Sequence, residues 1–151
     1  MKLAEALLER ADYQKRLEQL RERLSRNAKV QEGDKPQEDP QTLLHEVTQL
    51  NRDLTDLVKR INRTNSTVGM EPYGTIADAL IQRESIMRHR GILQKLIDNA
   101  SIMDMRYGHS EIKIVSTVDV ASLQKQVDRL SKEFRQVDTA IQAINWSTDL
   151  M

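Results

Sequence analysis

At 151 residues the chain has the length of one domain and enough material to bury a core. Charged residues make up 30% and aromatics 3%, with five glycines and three prolines, a composition poor in the turn formers and rings of a β-sandwich. The 23 basic and 23 acidic side chains cancel and cysteine is absent, which excludes a general attraction to nucleic acid or anionic membranes, disulfide scaffolding, cysteine-ligated zinc and thiol catalysis.

The first predicted helix covers about 2–29. Alternating steps of three and four give Leu3, Ala6, Arg10, Tyr13, Leu17, Leu20, Leu24 and Asn27, a heptad stripe interrupted by Arg10 and Asn27. Asp12 with Arg16 and Glu22 with Arg26 stand four apart on the outer face, in the order that favours a helix. A break follows at 30–39, with Gly33, Pro36 and several acids. Asp39 before Pro40 is a helix start: the carboxylate accepts free backbone N–H groups, and proline at the first helical position loses no bond.

The second helix, about 40–63, has an unbroken stripe of Leu43, Val47, Leu50, Leu54, Leu57 and Ile61. At 1.5 Å per residue it spans roughly 35 Å. Two such helices on a short linker pack antiparallel, because each has one apolar face to cover. Gly69, Pro72 and Gly74 mark the break at 64–75, and Thr75 with Asp78 forms a capping pair for the third helix, about 76–101. That helix has a wider apolar face: Ile76, Ala79, Leu80, Ile86, Met87, Leu93, Ile97 and Ala100, with Arg83 and Arg90 inside the stripe and Gly91 mid-helix.

The break at 102–119 holds a β-branched alternation around Ile112, Lys113 and Ile114, so a short extended or β segment is expected near 111–118, docked on the helices or paired with another copy. Asp119 then caps a fourth helix, about 120–145, whose Val120, Leu123, Val127, Leu130, Phe134, Val137, Ile141 and Ile144 keep the spacing throughout. The expected fold is all-α: a single helical domain over 1–151, with four long amphipathic helices in antiparallel, coiled-coil-like hairpins.

No catalytic, metal or cofactor constellation emerges. The residues three before His45, His89 and His109 are Thr42, Ile86 and Arg106, so the Glu-x-x-His pairs of carboxylate-bridged metal bundles are missing, and Gln49 stands where a zinc-protease helix needs histidine. The glycines are scattered rather than gathered into a phosphate loop. No serine pairs with histidine and acid at a recognisable spacing. Residues 1–29 carry eight basic and five acidic side chains, but the acids interleave and stacking aromatics are few, so no nucleic-acid partner is expected.

Residues 1–10 alternate charge and leucine instead of forming a signal-peptide core, and no apolar run reaches the roughly 20 residues that span a bilayer. A cytoplasmic protein is expected, with the Asn-x-Ser/Thr triplets at Asn62, Asn65, Asn99 and Asn145 there by chance. The candidate site is therefore Arg10, Arg83 and Arg90, each where the stripe asks for an apolar side chain. They read as buried ion pairs or stem-packed arginines that set helix register, or alternatively as a small-anion slot assisted by Arg88 and His89.

The opening Met1-Lys2-Leu3-Ala4-Glu5-Ala6-Leu7, the stretch Asn27-Ala28-Lys29-Val30-Gln31-Glu32-Gly33, Ile61-Asn62-Arg63-Thr64-Asn65, Ser110-Glu111-Ile112-Lys113 through Val118-Asp119-Val120, and Asn145-Trp146 resemble a family of small helical bacterial proteins that carry the name septicolysin and have no established function. The resemblance covers the whole chain. The name implies a secreted pore-former, whereas the residues themselves carry no secretion signal and no alternating pore-strand hairpins. The expected role is a self-associating structural or interaction protein, a homo-oligomer through its heptad faces without cofactor or catalysis. A septicolysin-like cytolysin, which alone would bring in a membrane, is the alternative.

Overall fold

The computed structural model describes residues 1–101 and 112–151. The fold is all-α, with α1 at Leu3–Arg26, α2 at Pro40–Thr67, α3 at Ile76–Ser101 and α4 at Val120–Ser147. Two compact units divide the chain: Met1–Gly69 with Gln142–Met151, and Met70–Ile141. The continuous helix α4 thus contributes residues to both.

In the first unit α1 and α2 pair antiparallel. Leu20, Leu43 and Leu50 form a buried cluster, with Tyr13, Leu17, Leu24 and Val47 packed around it. The heptad stripes of the two helices therefore close on each other. α1 stops three residues short of its expected end because Asn27 turns the chain. The Asn27 amide nitrogen donates to the Arg23 carbonyl at 2.8 Å, and its side-chain oxygen accepts the backbone N–H of Glu38 at 3.0 Å. A polar residue in the seam is thus spent on ending the helix and tying down the linker. Asp39 opens α2, accepting the Gln41 N–H at 3.1 Å and the Thr42 hydroxyl at 3.1 Å.

Across the same linker Arg23 grips Glu38 with two guanidinium nitrogens. That contact holds the Glu38 carboxyl below its usual range, with the hydrogen bond from Arg23 as the main cause. A depressed carboxyl pKa stabilises the fold above the unfolded value of about 4.3, and the gain disappears as pH falls through the folded value. Thermal melts of the wild type and Glu38→Gln are therefore expected to differ at pH 7 and to converge on acidification below about pH 4. A gap that persists at acid pH would show that the pair contributes through packing alone.

α2 runs four residues past its expected end. Thr64, which reads as the start of a break, is fully buried, and its hydroxyl donates back to the Arg60 carbonyl at 2.9 Å. The same oxygen accepts the backbone N–H of Met151 at 3.0 Å. Residues 148–151 also pair with the start of the chain. Leu3 N–H donates to the Thr148 carbonyl and Leu150 N–H to the Met1 carbonyl, both at 2.9 Å, around an antiparallel bridge between Lys2 and Asp149.

In the second unit, Gly74 has φ +94°, a region that L side chains rarely adopt, and an added Cβ would run into the Asp78 carboxylate. That close approach lets Asp78 cap α3: its Oδ2 accepts the Thr75 N–H at 2.9 Å, while the Asp78 N–H donates to the Thr75 hydroxyl at 3.2 Å. Asp119 caps α4 by accepting the Ser122 N–H at 3.2 Å. Residues 112–118 are irregular and form no ladder, and Ile112, Ile114 and Val115 are exposed. The rest of the break expected at 102–119, including Glu111 and His109, lies outside the described residues as far as residue 111.

Candidate functional site

α3 places Ile76, Ala79, Arg83, Ile86, Arg90, Leu93, Ile97 and Ala100 on one face by steps of three and four, and every one of them is buried or half-buried. On α4 the matching face carries Val127, Leu130, Phe134, Val137 and Ile141, also buried or half-buried. Both arginines reach across to α4.

Arg83 donates from Nη1 to Asp138 Oδ1 at 2.6 Å, with the two side chains 30% and 35% exposed. Arg90 donates from Nη1 to the Ser131 hydroxyl at 3.3 Å, and its Cζ lies 5.8 Å from the centre of the Phe134 ring. The arginines are seven residues apart on α3, and Asp138 and Ser131 are seven apart in the reverse order on α4. That is a one-heptad repeat across an antiparallel pair. The Phe134 face offers electrostatic attraction to a cation that has no carboxylate partner among the described residues, and the arginine stem covers apolar surface.

Arg10 belongs to the first unit. It is half-buried on α1 and has no ion pair among the described residues. Asp138, Ser131 and Phe134 are the partners that a reading of the sequence did not single out. The signal available was modest: Ser131 and Asp138 each follow a heptad position of α4 by one residue, where a polar side chain normally faces water.

Because the Arg83–Asp138 pair is about one-third exposed, its worth lies between the roughly 0–1 kcal/mol of a surface pair and the roughly 3–5 kcal/mol lost when one partner of a buried pair is removed. Asp138→Ala is expected to destabilise by about 1–2 kcal/mol in urea melts. Arg83→Met combined with Asp138→Leu should recover most of that loss, since no charge is left behind. An additive double variant would show the two residues to be uncoupled.

An open groove of about 520 Å³ beside the ladder is lined by Arg83, Glu84, Met87, Arg88 and Phe134. A second, of about 330 Å³, is lined by Pro72, Tyr73, Asp78, Ile81 and Gln82. Among the described residues no three His, Cys, Asp or Glu side chains gather as a metal site would require. No buried side-chain nitrogen or oxygen among them lacks a hydrogen-bond partner. No described helix is long and apolar enough to cross a membrane.

Residues 10–150 match the model of a family described as Family of unknown function (DUF6847). The chain is also similar to a protein of solved structure from Corynebacterium diphtheriae, described as a functionally unknown conserved protein. The two are 43% identical, the match covers 100% of this chain and 99% of that one, and the TM-score is 0.94. No curated protein matches. The chain belongs to this family, and neither description carries the name septicolysin that the polar breaks suggested.

Proposed function

We propose that this member of a family of unknown function is a self-associating structural or interaction protein without catalytic activity of its own. The observation that carries the reading is an apolar surface that the chain leaves uncovered: Ile81 is 65% and Ile92 62% exposed on α3. Single exposed hydrophobics are ordinary, but two isoleucines eleven residues apart lie on one side of a helix and form part of a face. Arg83, Arg90 and Arg23, set within or beside the apolar stripes, by contrast have partners in the same chain. Arg83 meets Asp138, Arg90 meets Ser131 and Phe134, and Arg23 meets Glu38.

The heptad stripes of α1 and α2, expected to pack antiparallel across their short linker, are filled by Leu20, Leu43 and Leu50 of one chain. Assembly in this reading therefore uses a surface outside the seams. Nucleic acid is not among the proposed partners: basic residues of α1 are held by acids, as Arg21 is by Glu18 at 2.6 Å. Light scattering over a concentration series is expected to give a mass that rises above the 17.4 kDa of one chain. A mass fixed at one chain throughout would remove this reading.

A further inference from the structure

We propose that a second copy of this chain docks antiparallel on the outer face of α3, about a two-fold axis level with the peptide bond joining Ile86 to Met87. The inference rests on the self-association reading and names its surface.

α3 carries two stripes, not one. Opposite the face that holds Arg83 and Arg90, steps of three and four pick out Asp78, Ile81, Ser85, Arg88, Ile92 and Lys95, all of them exposed. Leu96, 38% exposed, flanks this stripe. Low amphipathicity in the sequence is the sum of two opposed faces.

The stripe is self-complementary. In an antiparallel pair of identical helices, residues equidistant from the two-fold axis share a layer. About the stated axis, Ile81 meets Ile92 of the second copy, and Asp78 meets Lys95. Ser85 meets Arg88, and Glu84, one position off the stripe, lies beside the same Arg88. Each contact occurs twice by symmetry, and no layer sets like charges opposite each other. Glu84, Arg88 and Lys95 have no ion pair among the described residues, so these charges are available to a second copy.

Gly91 adds an independent sign. A glycine in the middle of a helix costs stability relative to alanine, and here an added Cβ would meet nothing within 4 Å. The chain's own packing therefore has no need of it. On the flank of the outer stripe, level with Gln82 of the second copy, a missing side chain lets the two helices approach.

The test is sedimentation over a concentration series with five variants, each checked for unchanged helicity. Ile81→Glu with Ile92→Glu is expected to weaken the dimer by more than roughly tenfold. Glu84→Arg and Arg88→Glu should each weaken it, and the two together should restore it, because the swapped charges again face each other. Leu8→Glu, on α1, should leave it unchanged. A wild type that never dimerises overturns both this inference and the reading beneath it. A wild type that dimerises with these variants unaffected overturns this surface alone. Should a glutamate variant lose helicity, Ile81→Cys with Ile92→Cys decides on the otherwise cysteine-free chain: the two positions share a layer, so mild oxidation must give a disulfide-linked dimer, and its absence counts against the surface.

Discussion

Leu43→Ala is expected to destabilise the protein by about 2–5 kcal/mol, the range for truncating a buried leucine whose surroundings cannot close over the gap. Leu43 is 2% exposed and lies in the cluster with Leu20 and Leu50, ringed by Tyr13, Leu17, Leu24 and Val47. Two terms add. Apolar area leaves its shelter, and the remaining cavity strips the neighbours of dispersion contacts. In a chain of this length the loss corresponds to roughly 5–15 °C in the thermal midpoint, followed by circular dichroism. Leu43→Met, which keeps the volume, should cost less than about 1.5 kcal/mol. Equal costs for the two substitutions would mean that the α1–α2 seam is loose enough to repack, contrary to its burial.

The contrast between Leu43 and Arg83 explains which parts of the fold were legible from residues alone. Periodicity reports which face of a helix is covered. It therefore located the stripes of α2 and α4, where Leu43, Leu57, Ile61, Val137 and Ile141 are all buried. It also located Arg83 and Arg90 as exceptions within a stripe. It could not name Asp138 or Ser131 as their partners, because a polar residue beside a heptad position looks the same whether it faces water or a neighbouring helix. The outer stripe of α3 was missed for a related reason. Ile81 and Ile92 are separated by Ser85 and Arg88, so no run of apolar steps joins them, and neither lies on the denser stripe through Ile76, Ile86 and Ile97.

Helix ends were less legible again, since they depend on contacts distant in sequence. Asn27 ends α1 by holding the Glu38 backbone, eleven residues away. Thr64 extends α2 because the Met151 N–H reaches it from 87 residues away. The β-branched run at Ile112 to Val115 illustrates the converse. Local preference for extended chain is not enough to make residues 112–115 a strand, whereas Lys2 and Asp149, which lack that preference, form a bridge.

That bridge supports the second large prediction. Deleting residues 148–151 is expected to cost about 4 kcal/mol, from four hydrogen bonds each worth roughly 1 kcal/mol net. The bonds lost are Leu3 N–H to Thr148, Leu150 N–H to Met1, Met151 N–H to Thr64 and Arg60 to the Met151 carbonyl. The Lys2–Asp149 contact at 2.8 Å adds little, because the aspartate side chain is 77% exposed and salt screens the pair. Leu3, Ile61 and Thr64, all 0% exposed, lie among the residues that make these bonds or next to them in α2, so part of their apolar surface should become wet as well. A thermodynamic cycle isolates the hydroxyl. In the full chain Thr64→Val removes the acceptor for Met151 and should cost about 1 kcal/mol, the net worth of a hydrogen bond whose donor lies at an exposed residue. In the shortened chain that N–H is gone, and the same substitution should cost markedly less. Equal costs in the two backgrounds would mean that the C-terminal segment is held by its backbone pairing with residues 1–3 and that the Thr64 hydroxyl serves only its own helix.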